Sequence, residues 1–383
     1  MKDLLLLPGP TEVPERVARA GSRPMINHRS PAFSELYESI QRGLKPIFGT
    51  EEPIYLLPSS GTGALEAAVV NLFSPGDRIL VGVMGAFGKR FADISEAYGL
   101  QVDRLEVEWG KLLEADSLAA KLAEAGPGTY KGVLVTHNET STGVLLRLAE
   151  IGRVVREYGA LLVVDAVSGL GGAEIRMDEW GVDAVVTASQ KALMTPPGLG
   201  FIAVSRRAWE AVEQARLPRY YWDLRQYAKF AEKNQTPATP PVSLMYALAE
   251  ALDMIGEEGL PNVYRRHWLM TRMVRAGMRA LGFEMLAEDR YCSPTVTAIR
   301  VPEDLEASRL TATLRDRYGV TVAAGQGHLK GKIFRVGHMG SIHPGDLFNF
   351  LGIMERCLTD LGRTGLAGRG VAAASRIWEE EVQ

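Results

Sequence analysis

Four short stretches carry side chains whose chemistry could converge on one ligand. Lys191 stands in Ser189-Gln190-Lys191-Ala192-Leu193. Lysine is the residue whose amine condenses with aldehydes, and partial burial makes it nucleophilic near neutrality. Its ordinary alternative is an exposed surface residue. Asp165 closes Leu161-Leu162-Val163-Val164-Asp165. A carboxylate directly after four apolar residues is costly unless paired. A cationic heteroaromatic nitrogen would pair it; so would a helix cap or a metal ion. Ser59-Ser60-Gly61-Thr62-Gly63 runs straight into the helical stretch Ala64–Leu72. Small residues let the backbone approach an anion, the free N–H groups of a helix start point at it, and the hydroxyls of Ser60 and Thr62 add donors. An ordinary capped turn has the same composition. Phe87, in Gly85-Ala86-Phe87-Gly88, could stack on a flat ring or fill the core. Taken jointly and in chain order, these supply an anion cradle, a stacking aromatic, a carboxylate for a pyridinium nitrogen and an imine-forming amine. Those are the requirements of pyridoxal phosphate.

The elements that must position these groups alternate in type. Strands are expected over Arg78–Val83, Leu100–Val107, Gly132–Thr136, Ala160–Asp165, Asp183–Thr187 and Gly200–Val204, with helices at Phe87–Tyr98, Glu114–Ala125 and Leu148–Tyr158. Several strands are continuously apolar rather than alternating, as in parallel sheets covered on both faces. The expected fold is therefore α/β, with a large doubly wound, mostly parallel sheet. In open sheets of that kind, ligands bind outside the carboxyl ends of the strands, where all four stretches fall. Arg216–Pro241, rich in Tyr, Pro, Asn and Gln, reads as irregular, followed by a helix over Val242–Ile255 and a longer one from Pro261 to about Ala280. From Phe283 onward, short strands separated by helices suggest a smaller α+β domain. The tail, 362–383, reads either as a docking helix or as a frayed end.

Composition narrows the function classes. The 383 residues exceed the roughly 250–300 at which one core stops growing, so two domains are expected. A net charge of −3 gives no footprint for nucleic acid or an anionic membrane. No apolar run approaches the roughly 18 residues of a membrane span. Two cysteines, Cys292 and Cys357, support neither a disulfide framework nor a four-cysteine zinc site. Gly61-Thr62-Gly63-Ala64-Leu65-Glu66 fails the dinucleotide fingerprint at Glu66, and Gly88-Lys89 lacks the upstream glycine of a phosphate-binding loop. His137-Asn138-Glu139 mimics the H-x-E of zinc deaminases without their paired cysteines, so no metal is assigned.

The chain resembles class V, fold-type I pyridoxal-phosphate aminotransferases, in particular the alanine/serine–glyoxylate (serine–pyruvate) enzymes. The resemblance rests on LLLPGPTEVP, SSGTGALEAAV, THNETSTGV, LLVVDAVSGLGG, SQKALMTPPGLGF, TPATPPVSLMYAL and KIFRVGHMG, spanning Leu4 to about Gly340. It implies that Lys191 bonds covalently to pyridoxal 5'-phosphate and carries the substrate proton, while Asp165 keeps the ring nitrogen protonated. Val167 and Phe87 would pack on the two ring faces, and Thr140 would sit near the phenolic oxygen. Ser60, Gly61, Thr62 and Gln190 would bind the phosphate, with Thr239 reaching the phosphate of the neighbouring subunit in a homodimer. Arg335 would clamp the substrate carboxylate and Gly9 would line the small substrate pocket. The implied organisation is an N-terminal arm (1–20) associated with the small domain, a large cofactor-binding domain (21–257) and a small C-terminal domain (258–383). The expected reaction moves an amino group from alanine or serine to glyoxylate or pyruvate by a ping-pong course; ureidoglycine–glyoxylate transfer, or less readily a lyase or cysteine desulfurase reaction, uses the same scaffold. The family's animal enzymes carry tryptophan at Phe87, histidine at Thr62 and a tyrosine at Thr236. The closing Glu-Glu-Val-Gln is unlike a peroxisomal signal, so a cytoplasmic location is expected.

Overall fold

The computed structural model describes residues 3–382. Seven strands form one sheet in the spatial order Ile54–Leu57, Gly200–Val204, Ala184–Ala188, Leu161–Asp165, Gly132–Thr136, Arg78–Val83, Gln101–Glu106. Neighbours run parallel except at Gly200–Val204, which is antiparallel to both its partners. Strands buried at every position account for the unbroken apolar runs. Their side chains alternate between two cores: Leu162 and Val164 join Phe33, Ile40 and Leu44 on one face, while Leu161 and Val163 join Leu65, Val69 and Phe91 on the other.

The chain runs outward from Arg78–Val83 to the edge strand Gln101–Glu106. It then returns to the other side of Arg78–Val83 as Gly132–Thr136. That reversal opens a crevice at the carboxyl ends of the strands, where open α/β sheets bind ligands.

A second sheet of five strands follows the order Leu4–Leu6, Val320–Ala324, Ile333–Gly337, Val296–Arg300, Glu284–Met285. The first described strand thus pairs with one more than 300 residues later, Leu4 opposite Val320. Leu4 and Leu6 share an apolar core with the helix Leu260–Ala280 and with Phe334 and Phe350. The tail forms a docked helix, Arg369–Val382. Ala374 is fully buried, and a Cβ on Gly277 would lie 3.2 Å from the Gly370 carbonyl, so small residues permit the close approach. The Glu355 carboxylate caps this helix, accepting from the N–H groups of Gly368, Gly370 and Val371 at 2.6–3.0 Å.

One expected irregular stretch is corrected. Within Arg216–Pro241 lies a helix, Leu224–Ala231, whose N-cap Asp223 accepts from the Arg225 N–H at 3.1 Å. Leu224 and Tyr227 are its buried face. Asn71 ties its start to the helix Gly61–Leu72, accepting from the Leu224 N–H at 3.0 Å and donating to the Trp222 carbonyl at 2.6 Å. Two turns with only two buried side chains leave too weak a period to read from the sequence.

Candidate functional site

Lys191 lies in the tight loop that follows Ala184–Ala188. Ser189 closes this loop, its hydroxyl donating to the Pro196 carbonyl at 2.7 Å and accepting from the Leu199 N–H at 3.3 Å. The N-terminal stretch clasps it from outside: the Thr11 hydroxyl donates to the Lys191 carbonyl at 3.0 Å, and the Thr11 N–H to that of Gln190 at 3.1 Å. The Lys191 amine donates to the Pro8 carbonyl. Gly9 next to it adopts φ +112°, and a Cβ there would lie 2.5 Å from both Cδ and Nζ of Lys191. The backbone conformation favours glycine, and a Cβ there would have to displace the flexible end of Lys191. Burial pushes the amine down to about 8; the Asp165 carboxylate opposes that shift, and the Arg335 and Arg90 charges add to it.

Asp165 ends its strand at 2% exposure. Burial pushes its carboxyl up to about 6. Among the described residues its one hydrogen bond comes from the Val167 N–H to Oδ1, at 2.9 Å, so Oδ2 is left to take a partner. Val167 turns its methyls toward Gly61: a Cβ on that glycine would sit 2.8 Å from Val167 Cγ2. The carboxylate, Val167 and the start of the helix Gly61–Leu72 are thus contiguous.

Arg335 reaches the same crevice from the second sheet. It is 5% exposed and has no carboxylate within ion-pair distance among the described residues. Its Nε and Nη2 donate to the Ala324 carbonyl at 3.0 and 2.8 Å, and Nη1 to the Thr140 carbonyl at 3.1 Å. A guanidinium has five N–H donors. Two remain, one on each terminal nitrogen, a fork suited to a carboxylate. Burial lowers its pKa to about 10, so it stays charged at neutrality. Thr140 itself is buried. Its hydroxyl donates to Ser168 Oγ at 2.6 Å, which donates to the Asn138 carbonyl at 2.8 Å, leaving Thr140 Oγ1 free to accept.

Phe87 is half-buried near the start of the helix Ala86–Ala97, with the Arg90 guanidinium 4.9 Å from its ring centroid. That helix start is already filled by the buried Glu139 carboxylate. The start of Gly61–Leu72 differs. Ser60 provides no side-chain cap, and the first-turn N–H groups have no intrahelical partner.

The cofactor inferred from the sequence can be tested against this geometry. The open helix start with Ser60, Gly61 and Thr62, the free Oδ2 of Asp165, the half-buried Phe87 and Val167, and the amine of Lys191 fit a phosphorylated pyridine aldehyde. Gln190 adds a buried amide whose Oε1 has no partner. Contacts join Gly9 to Lys191 and its neighbour Gln190, Asp165 to Val167 and Gly61, and Thr140 to Arg335, and the Lys191 amine feels the charges of both Asp165 and Arg335. Thr239 is exposed and makes no hydrogen bond to the others among the described residues, and Thr236 is buried, its hydroxyl donating to the Ala238 carbonyl at 2.8 Å.

No group of three or more His, Cys, Asp or Glu side chains among the described residues could hold a metal ion. His267 and His338 are fully buried, bonded to Val263 and Gly340 and to Thr297 respectively. Burial holds both down to about 3. Both cysteines are buried, at 5% and 0% exposure. Sequence reasoning missed Pro8, Ser168 and the role of Glu139; the signal available was adjacency, Pro8 to Gly9 and Glu139 to Thr140, and Ser168 had none.

A family model for class V aminotransferases matches residues 11–338. The chain is 43% identical to the soluble hydrogenase small subunit of Synechococcus, over 98% of each protein. It is 39% identical to the L-aspartate–glyoxylate aminotransferase of Paracoccus denitrificans, over 98% of this chain and 96% of that one. Among solved structures it resembles the alanine–glyoxylate aminotransferase of Nostoc, with a TM-score of 0.90, 33% identity and coverage of 94% of this chain and 96% of that one. The ureidoglycine–glyoxylate aminotransferase of Bacillus subtilis gives a TM-score of 0.92 at 29% identity, covering 99% and 98%. The chain belongs to the class V aminotransferase family.

Proposed function

We propose that this aminotransferase uses pyridoxal 5'-phosphate to move an amino group from a small amino acid, alanine or serine, to glyoxylate or pyruvate, in two half-reactions. The observation that carries the reading is the pairing of a half-buried amine lowered to about 8, Lys191, with a buried carboxylate carrying one open oxygen, Asp165. The cofactor, when bound, supplies an electron sink for the pair left at the substrate Cα.

The chain's own residues do the rest. The Lys191 amine makes the covalent attachment, and once displaced by the substrate amine its Nζ takes and returns the Cα proton. Asp165 Oδ2 holds a proton on the ring nitrogen. The resulting ion pair relieves the desolvation that raises its pKa. Arg335 fixes the substrate carboxylate with its two remaining donors. Ser60, Gly61, Thr62 and Gln190 hold the phosphate. Thr239, exposed in a single chain, reaches the neighbouring subunit's phosphate in a homodimer. We read the chain as an arm (1–20), a large domain (21–257) and a small domain (258–383), with cytoplasm as its compartment. No helix among the described residues is long and apolar enough to cross a membrane.

The test is a matrix of amino donors (alanine, serine, aspartate, ureidoglycine, cysteine) against glyoxylate and pyruvate, followed by the absorbance of the bound cofactor. Fastest turnover with alanine or serine supports the proposal. Fastest turnover with ureidoglycine transfers the assignment to that reaction, and sulfide from cysteine transfers it to a desulfurase.

A further inference from the structure

Glu139 takes no part in the steps above, yet it is the most heavily bonded carboxylate beside them. It is 0% exposed. Its Oε2 accepts from the N–H groups of Phe87 at 3.1 Å and Gly88 at 3.0 Å, and its Oε1 from the Ser141 N–H at 3.1 Å and hydroxyl at 2.6 Å. A Cβ on Gly85 would lie 2.5 Å from Glu139 Cγ and Cδ, so the backbone is shaped to the carboxylate. The next residue, Thr140, offers its carbonyl to Arg335 at 3.1 Å. Ser141 adds a third tie, its hydroxyl accepting from the Ala86 N–H at 2.9 Å.

We infer that Glu139 is a positioning residue that sets Phe87, which stacks on the cofactor ring, and Arg335, which binds the substrate carboxylate, in fixed relation to each other. This rests on the pyridoxal phosphate reading. Two hydrogen bonds run from the carboxylate to the backbone that carries Phe87, and one peptide runs from Glu139 to the acceptor that anchors Arg335. The helix dipole and convergent N–H groups hold the anion in place. An error of about 1 Å in such an alignment can cost roughly a hundredfold in rate. The carboxyl group that resembled a deaminase triplet in the sequence fills one helix start as an internal acceptor, burial raising its pKa and the N–H and hydroxyl donors of Phe87, Gly88 and Ser141 opposing that shift, while the neighbouring helix start at Gly61 stays open for a phosphate.

The test is Glu139→Gln, prepared as the cofactor-loaded protein. Glutamine keeps the shape but turns an NH₂ toward N–H donors. The visible circular dichroism of bound pyridoxal phosphate reports how the ring sits against Phe87, and KM for the amino donor reports Arg335. The expected result is a folded protein whose dichroic band falls by half or more and whose KM rises about tenfold, with a smaller fall in kcat. In a Phe87→Leu background, Glu139→Gln should add little further loss of the band. A band and KM equal to the parent's would overturn the inference, whatever happens to the melting temperature. If Glu139→Gln does not fold, Ser141→Ala decides: shifts in the same directions support the inference, and an unchanged band and KM overturn it. A parent protein that takes up no pyridoxal phosphate would instead sink the proposed function.

Discussion

Arg335→Ala separates function from stability more sharply than any other single change. The guanidinium spends three of its five N–H donors on the Ala324 and Thr140 carbonyls and keeps two for a ligand. Hydrogen bonds to charged groups contribute about 1.5–3 kcal/mol each, so losing two removes roughly 3–6 kcal/mol of substrate binding. Even the lower figure is about a hundredfold in kcat/KM, because each 1.4 kcal/mol is tenfold. The effect on folding should be small. Removing the arginine leaves two carbonyls unbonded, which is unfavourable, but it also removes a buried charge with no carboxylate partner, which is favourable. Arg335→Lys should recover part of the loss, since a point charge remains without the planar fork. Steady-state kinetics with alanine and glyoxylate, beside thermal melting, provide the assay. Wild-type kcat/KM in Arg335→Ala would refute the assignment, and so would a loss of activity matched by collapse of the melting temperature.

Asp165→Asn should lower turnover by roughly ten- to a hundredfold, the worth of one charged hydrogen bond, yet raise the melting temperature of the cofactor-free protein by removing a buried carboxylate; opposite signs in kinetics and melting check it. Gly9→Ala places a side chain at φ +112° and 2.5 Å from Lys191 Nζ. Backbone strain of about 1–3 kcal/mol and a displaced amine should slow aldehyde capture, measured by stopped-flow absorbance. The same capture should speed up as pH rises toward about 8, where the lowered Lys191 amine becomes neutral, and level off above it; a rate still climbing toward pH 10 would mean an ordinary exposed lysine. The sign for folding follows. Between about 8 and the ordinary lysine value the unfolded chain binds the extra proton, so the cofactor-free protein gains stability as pH rises through that window. Replacing Cys292 and Cys357 by alanine should leave transamination intact, with no sulfide released from cysteine before or after.

Much of the site was legible because its residues sit where strands end. Asp165 and Lys191 follow apolar runs buried on both sheet faces, and such runs announce their own carboxyl ends. The direction of Gly200–Val204 was not legible, since a strand buried on both faces reads the same whether it runs parallel or antiparallel. Leu224–Ala231 was hidden by its brevity and its Tyr, Gln and Lys content. The tail left two readings open, and the structure selects docking, with Gly370 against Gly277 and Val371, Ala374 and Ile377 packed on the core of the second sheet; one short amphipathic stretch reads the same whether docked or frayed. Glu139 was set aside as a metal ligand but given no role: besides Ser141 next to it, its partners are backbone N–H groups 51 and 52 residues earlier, which no spacing rule reveals.

The central claim is that one amine carries the cofactor. Sodium borohydride reduction of the cofactor-loaded protein, followed by peptide mapping, should find a single phosphopyridoxyl group on Lys191. A label on any other lysine, or none, would contradict the account.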